Sequence, residues 1–245
     1  MQDPRECLCF ALDVQDRAAA GEFVTRLSDV VGLFKVGLEL FVREGPDLLE
    51  ELKDRGARRV FLDLKFHDIP RTVQSALRSA SLLPVEFLSV HAEALWQGRG
   101  QNGPPALVEG PKLLGITVLT SLGEPDLEKL GYGADLSLKE LVLLRASIAQ
   151  QGGCAGVVCS AAEVAELRAR FGPGFLLFVP GIRPEGVRVS GDDQSRAFTA
   201  YDAILRGADC VIVGRPIRQA ADPVEAAGRL LEEIRRGLRD RSGPH

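Results

Sequence analysis

Short, almost continuous runs of apolar residues recur along the chain and alternate with longer segments whose apolar positions follow a helical period. Parallel strands that are covered by helices have this near-continuous apolar character. The pattern therefore predicts eight strands, at residues 7–13, 33–37, 59–65, 85–91, 112–120, 156–160, 175–180 and 210–214.

The segments between these runs carry signals for the start and the end of helices. Pro46 and Asp47 open one helical segment, and Gly56 follows it as a typical residue just beyond a helix end. Gly172 ends another segment in the same way. Eight strand-then-helix units in 245 residues predict an α/β fold, a (β/α)8 TIM barrel that forms a single domain over residues 1–245. A doubly wound open sheet is the alternative, but no G-x-G-x-x-G motif follows the first strand.

Composition and charge exclude several classes of protein. The formal net charge is −4, and the chain has one Trp and two Tyr, so neither a basic surface nor stacking platforms for nucleic acid are expected. No run of about 18 apolar residues is present, and the first residues do not have the pattern of a signal peptide. We therefore expect a cytoplasmic protein that does not cross a membrane.

The cysteines fit the same compartment. There are five, and most of them lie in apolar runs, which is typical of buried reduced thiols in a cytosolic protein. Cys7 and Cys9 could suggest a metal clip, but no second Cys/His pair complements them. With three His in total, including the terminal His245, a His-rich metal site is not expected either.

Charged residues interrupt the apolar strands at their carboxyl ends, where barrels carry their catalytic groups. Asp13 ends the first predicted strand, Lys35 lies in the second, and Asp63 and Lys65 lie in the third. A spacing of two places Asp63 and Lys65 on one face of their strand, so both should point into the barrel near its mouth. Leu62 and Leu64, which alternate with these two residues along the strand, should then face the outer helices.

Two interpretations of these charges stay open at this stage. Asp63 and Lys65 alone could form a structural ion pair that fills the barrel. However, two of only six lysines lie inside apolar strands, where an unpaired charge is costly. An alternating array of Asp13, Lys35, Asp63 and Lys65 would balance its own charge in a desolvated place, as electrostatic catalysis requires.

The residues just beyond the third and fourth strands are more ambiguous. Asp68 could cap a helix that begins near Pro70, or it could reach an active site, either its own or that of a neighbouring subunit. A hydrogen bond at the helix entry or at an interface is expected for His67. His91, at the end of the fourth strand, is expected to be a polar group that is satisfied near the site.

The connections after the seventh and eighth strands resemble an anion-binding site. Pro180 to Pro184 follow the seventh strand, a Gly-Asp-Asp-Gln segment ends at Gln194, and Gly214 and Arg215 follow the eighth strand. Phosphate often binds there in barrels, through glycine amides and Arg side chains. Arg183 and Arg215 could instead be ordinary surface residues. The connection 181–200 is long for a compact domain, and loops of that length are often functional.

The chain resembles the orotidine 5′-phosphate decarboxylase family over most of its length. The resemblance rests on blocks in one order, of which DLKFHDIP (63–70) is the most specific; the others are ALDV (11–14), FKVG (34–37), VLTSL (118–122), PGIRP (180–184), DDQSR (192–196) and GADCVIVGRPI (207–217). It implies an enzyme, a carboxy-lyase that forms UMP and CO2 in pyrimidine biosynthesis without a cofactor or metal.

The resemblance also implies roles for individual residues. Lys65 would stabilise and protonate the C6 carbanion, and Asp63 would lie beside the departing carboxylate. Asp13 and Lys35 would hold ribose hydroxyls and orient the array. The remaining residues would contact substrate: Asp68, Ile69 and Thr72 across the interface of a homodimer, Ser121 at the pyrimidine, and Pro180, Arg183, Gln194, Gly214 and Arg215 at the phosphate. The connection 181–200 would close over the phosphate.

Three segments depart from the family pattern. His91 begins HAEAL instead of the frequent HASGG, Val179 replaces a frequent Thr, and FTAYDAI (198–204) differs from a common TP pattern. Related barrels that act on sugar phosphates share D-x-K-x-x-D but bind a divalent metal and carry an acid where this chain has Lys35. A noncatalytic phosphate-binding barrel is a further alternative, which a missing charge in the array would favour; none is missing.

Overall fold

The computed structural model describes residues 3–95, 110–132, 136–185 and 198–242. Within these ranges the chain forms a closed barrel of eight parallel strands in sequence order, which confirms the predicted (β/α)8 fold. The strands are β1 (Leu8–Ala11), β2 (Leu33–Gly37), β3 (Val60–Phe66), β4 (Phe87–His91), β5 (Lys112–Ile116), β6 (Gly156–Val158), β7 (Leu176–Val179) and β8 (Cys210–Val213).

Helices follow the strands and surround the barrel. They are α1 (Arg17–Leu27), α2 (Leu38–Glu44), α3 (Asp47–Asp54), α4 (Pro70–Ala80), α5 (Glu124–Lys129), α6 (Leu138–Gln151), α7 (Val164–Phe171), α8 (Ala200–Leu205), α9 (Arg215–Arg218) and α10 (Pro223–Arg241), with short 3-10 helices at Pro4–Cys7 and Ala92–Leu95. Gly56 and Gly172 have φ angles of 110° and 73°, which confirms the predicted helix ends. None of the helices in the described ranges combines the length and the apolar character that a membrane crossing needs.

The apolar core has two layers, one outside the barrel and one inside it. The outer layer lies between strands and helices and contains Leu62, with Leu64 packed against it, as the alternation in β3 predicts. The inner layer fills the barrel with Cys9, Ala11, Leu33, Phe61, Phe87, Leu114, Phe178, Cys210 and Ile212. Because successive inward positions are two residues apart, Lys35, Asp63 and Ser89 form the next level above this layer.

Strand β3 is irregular at its carboxyl end. Its pairing with β4 shifts register between Leu62 and Phe66, and Lys65 has a φ angle of 50°. A left-handed conformation is uncommon for a residue with a β-carbon and costs free energy. The strand therefore carries local strain at one of the residues that the sequence singles out for chemistry.

Some predicted strand ends were wrong by a few residues. β1 ends at Ala11, so Asp13 lies two residues beyond the strand. β5 ends at Ile116, four residues before the predicted end, and the buried Thr117 that follows donates its hydroxyl to the carbonyl oxygen of Val158 at 2.9 Å. That side-chain bond holds β5 against β6 where the ladder stops.

Candidate active site

Four charged side chains alternate in sign at the mouth of the barrel. The Nζ of Lys35 lies 3.1 Å from Oδ1 of Asp13 and 3.7 Å from Oδ2 of Asp63. The Nζ of Lys65 lies 2.8 Å from the same oxygen of Asp63. The structure thus brings Asp13, Lys35, Asp63 and Lys65 together as one continuous array, although they come from the ends of three different strands.

The inner part of the array is withdrawn from water, and its outer part is open. Lys35 and Asp63 are 9% and 8% exposed, whereas the side chain of Asp13 is about half exposed and that of Lys65 retains 31%. Burial by itself lowers the pKa of Lys35, but the charges of Asp13 and Asp63 outweigh it and raise the pKa above its ordinary value. The two carboxylates therefore favour the charged form of Lys35.

Ser89 supports the array from β4, and sequence reasoning missed it. Its hydroxyl is fully buried, donates to Oδ1 of Asp63 at 2.8 Å, and accepts a hydrogen bond from the backbone N–H of Lys65 at 2.8 Å. One side chain thus fixes both the carboxylate of Asp63 and the unusual backbone of Lys65. The period of two in β4, where Phe87 points inward, could have identified Ser89.

The end of β8 approaches the array from the other side. A β-carbon at Gly214 would lie 3.4 Å from Oδ2 of Asp13, which shows how closely this backbone passes the carboxylate. Arg218 in α9 donates to the backbone carbonyl of Asp13, and Arg215 is exposed at the start of the same helix. The connection after β8 is therefore fastened to the segment that carries Asp13.

The segment after β7 contributes residues beside this connection. Pro180 is partly exposed, and Arg183 is buried with its Nη1 3.0 Å from the carbonyl oxygen of Ile182. Arg183 is thus not an ordinary surface residue. Gln194 and most of the connection 181–200, namely residues 186–197, lie outside the described residues, as do positions 97–109 of the Gly/Pro-rich segment 97–111.

Comparison with known proteins identifies the family. Residues 6–230 match the model of the Orotidine 5'-phosphate decarboxylase / HUMPS family. The chain belongs to this family. It is 42% identical over 241 residues to an orotidine 5'-phosphate decarboxylase from Desulfosudis oleivorans, covering 96% of both chains. It is 45% identical over 245 residues to one from Syntrophus aciditrophicus, covering 95% of this chain and 94% of the relative.

A solved structure of a family member supports the same conclusion. The crystal structure of orotidine 5'-phosphate decarboxylase from Lactobacillus acidophilus superposes with a TM-score of 0.74 and 33% sequence identity. The match covers 94% of this chain and 99% of the other. The barrel described above is therefore the family fold along nearly the whole chain.

The family block 63–70 ends on residues that face outward at the rim of the barrel. Asp68, Ile69 and Thr72 are exposed, and Ile69 retains 67% of its accessible surface. Ile69 is the N-cap of α4 and no side chain caps this helix, so the hypothesis that Asp68 caps it was wrong. Asp68 instead accepts a hydrogen bond from the adjacent N–H of Ile69 at 2.6 Å. Ser121, beyond β5, is also exposed.

Two imidazole rings stack beside the array. The ring centroids of His67 and His91 lie 4.7 Å apart with an interplanar angle of 25°. Burial lowers the pKa of His91, and the neighbouring His67 lowers it further. Nδ1 of His91 lies 4.0 Å from Glu93, which is paired with Arg145. His67 therefore forms a ring contact, and the hydrogen bond at the helix entry or at an interface that the sequence suggested for it stays a prediction.

The described residues contain no cluster of three or more His, Cys, Asp or Glu that could hold a metal ion. In the array, the ammonium of Lys35 lies between the carboxylates of Asp13 and Asp63. All five cysteines are buried free thiols, as their apolar surroundings predict. Burial raises the pKa of Cys7 and Cys154 to about 12, which makes these thiols poor ligands and poor nucleophiles.

Proposed function

We propose that this protein decarboxylates orotidine 5′-phosphate to UMP and CO2 in pyrimidine biosynthesis. The observation that carries the proposal is the alternating array of Asp13, Lys35, Asp63 and Lys65 at the mouth of a family barrel. The family relatives named above support the same reaction. A carbanion that forms with no electron sink needs fixed positive charge, and this array supplies it.

Lys65 stabilises the developing charge and completes the reaction. When the bond from C6 to the carboxylate breaks, the electron pair stays on C6, CO2 leaves, and the ammonium of Lys65 donates a proton to C6. A unit charge about 4 Å away contributes about 4 kcal/mol at an effective dielectric of 20. That corresponds to roughly a thousandfold in rate, so Lys65 alone does not account for catalysis of so difficult a step.

The other members of the array orient Lys65 and the substrate. Asp63 accepts a hydrogen bond from the ammonium of Lys65 and lies beside the departing carboxylate of the substrate. Lys35 neutralises the charge of Asp63 from the other side. Asp13 and Lys35 hold the ribose hydroxyls, which suits their position next to each other at 3.1 Å. The array is thereby kept charged and ordered by its own contacts, as preorganised electrostatic catalysis requires.

The phosphate binds at the connections that follow β7 and β8. Gly214 and Arg215 provide an amide and a guanidinium after β8, and Pro180, Arg183 and Gln194 contribute from the connection 181–200, which closes over the phosphate. Ser121 contacts the pyrimidine. The proximity of Gly214 to Asp13 supports this arrangement, because it connects the phosphate end to the ribose end. Binding energy from the phosphate then helps to fix the reacting geometry.

The enzyme acts as a cytoplasmic homodimer in which Asp68, Ile69 and Thr72 enter the partner's site. Large apolar side chains are exposed after two adjacent strands: Ile69 at 67%, and Leu38 and Val42 in α2 at 52% and 79%. A contiguous patch of such residues would be typical of an interface. Equilibrium sedimentation should give twice the chain mass, and Ile69→Asp should shift the mass toward the monomer and lower activity together.

The decisive experiment follows the loss of orotidine 5′-phosphate by its ultraviolet absorbance, with purified protein after EDTA treatment. We expect full turnover without added metal, because Lys35 occupies the place of a metal-binding acid. Activity that disappears with EDTA and returns with magnesium would favour a barrel acting on sugar phosphates. Absence of turnover under both conditions would contradict the proposed function.

A further inference from the structure

A buried carboxylate outside the charged array joins the two ends of the connection after β7. Glu233, in the middle of α10, is 6% exposed. Its Oε1 accepts a hydrogen bond from the N–H of Glu185 at 3.0 Å, and its Oε2 accepts one from the N–H of Ala200 at 3.0 Å. Glu185 and Ala200 lie on opposite sides of residues 186–197, so one side chain binds both stems of this connection.

The two stems also pair with each other next to Glu233. Ile182 and Phe198 form an isolated parallel bridge, and the N–H of Arg183 donates to the carbonyl oxygen of Phe198 at 3.0 Å. The stems, residues 181–185 and 198–200, therefore form a small paired unit. Arg183, one of the candidate phosphate residues, belongs to this unit.

The helix that carries Glu233 also packs closely against α8, which begins at Ala200 in the second stem. At Gly237, one turn further along α10, an added β-carbon would lie 3.0 Å from both the Tyr201 carbonyl oxygen and the Ile204 Cβ. Such a close approach leaves little freedom between α8 and α10. The position of Glu233 relative to the stems is thus fixed by packing as well as by its hydrogen bonds.

From these contacts we infer that Glu233 is a positioning residue for phosphate recognition: its carboxylate fixes the paired stems that carry Arg183 next to the connection after β8. This inference rests on the function proposed above. Hydrogen bonds from two backbone amides to one carboxylate are stronger than hydrogen bonds between neutral groups, and they fix the orientation of the amides relative to the carboxylate. Without them, the stems would lose the geometry that the phosphate requires, while the array at Lys65 would keep its own contacts.

The chain offers a matched pair of variants for the test. Glu233→Gln replaces one accepting oxygen by an NH2 group, which cannot accept from a backbone amide. Glu185→Gln is the control, because it removes an exposed ion pair with Arg236 at 3.3 Å but keeps the backbone N–H that Glu233 binds. Both changes preserve side-chain size and remove one negative charge.

The kinetic readout compares orotidine 5′-phosphate with orotidine, which lacks the phosphate. Glu233→Gln should lower kcat/KM for orotidine 5′-phosphate at least tenfold and leave that for orotidine within twofold, whereas Glu185→Gln should alter neither. Equal losses with both substrates would indicate a purely structural role and overturn the inference, as would no loss with either.

Hydrogen–deuterium exchange separates this inference from the proposed function. The amides of Glu185 and Ala200 should exchange faster in Glu233→Gln than in Glu185→Gln, in the absence of any substrate. If the unsubstituted protein does not turn over orotidine 5′-phosphate, the proposed function fails. Unchanged protection of Ala200 in Glu233→Gln would then still overturn the role of Glu233.

Discussion

The Nζ of Lys65 lies 2.8 Å from Oδ2 of Asp63, although only one residue separates them along β3. Lys65 reaches this position from a left-handed backbone conformation, and among the described residues it is the one non-glycine residue with a positive φ. The register shift in β3 and the hydrogen bond from Ser89 accompany this conformation. The ion pair and the strained backbone are thus parts of one local arrangement.

Replacement of Lys65 by Ala should abolish turnover and leave the fold intact. The substitution removes the charge that faces the developing carbanion, together with its proton, and we expect a loss of at least about a thousandfold in kcat. The side chain of Lys65 is partly exposed, so its truncation leaves no large buried cavity. Decarboxylation assays and circular dichroism on the same preparation would measure both effects.

Lys112→Ala is the matched control for this experiment. Lys112 begins β5, at the opposite end of the barrel, and its Nζ lies 3.5 Å from Glu86 on the surface. The substitution Lys112→Ala removes the same type of side chain as Lys65→Ala but leaves the array unchanged. Near-normal turnover in Lys65→Ala, or equal losses in both variants, would refute the role assigned to Lys65.

A glycine at position 65 should be more stable than an alanine there. Both substitutions remove the ammonium, but only the alanine keeps a β-carbon in a backbone with φ of 50°. The left-handed conformation costs a non-glycine residue about 1 kcal/mol, so Lys65→Gly should exceed Lys65→Ala by about that amount in the free energy of unfolding. Urea denaturation would measure it, and equal midpoints would indicate that the backbone is not strained.

The sequence was sufficient to predict the barrel, because local patterns of apolar residues indicate the type and the number of the strands. All eight apolar runs became strands, and Gly56 and Gly172 mark helix ends through the positive φ that they supply. The strand ends were less predictable. β5 ends at Ile116, although Thr117 still donates both its hydroxyl, at 2.9 Å, and its N–H, at 3.4 Å, to the carbonyl oxygen of Val158. A hydropathy pattern contains no information about where such pairing ends.

The candidate site was predictable where it depends on buried charge and unpredictable where it depends on geometry. Lys35 and Asp63 are unusual in apolar strands, so they were visible in the sequence. The left-handed backbone of Lys65 was not, because it arises from pairing between β3 and β4. Glu233 was missed as well, since its partners are backbone amides more than thirty residues away in the chain.

Replacement of Ser89 by Ala should weaken both stability and catalysis. The change leaves Oδ1 of Asp63 and the N–H of Lys65 without the buried hydroxyl that now binds both. Loss of a buried partner of a charged group costs about 1–3 kcal/mol, and displacement of Asp63 should lower kcat more than it alters KM. Ser147→Ala, which removes a hydroxyl bonded to a helix carbonyl in α6, is the control. Unchanged kcat in Ser89→Ala would show that Asp63 does not need this support.

His91 should make the protein less stable as the pH falls below about 6.5, the ordinary pKa of His. Burial is the main reason that its folded-state pKa is lowered, and His67, Arg145 and Lys65 act in the same direction, while Glu93 opposes them. In this pH range the unfolded chain binds more protons than the folded one. The stability that the neutral ring contributes is therefore fully present above the unfolded-state pKa, and it is lost as the pH falls through the lower folded-state pKa. His91→Gln cannot titrate. Its free energy of unfolding should therefore decline less steeply than that of the unsubstituted protein between pH 7.5 and 5.5 in urea titrations, and parallel curves would contradict the prediction.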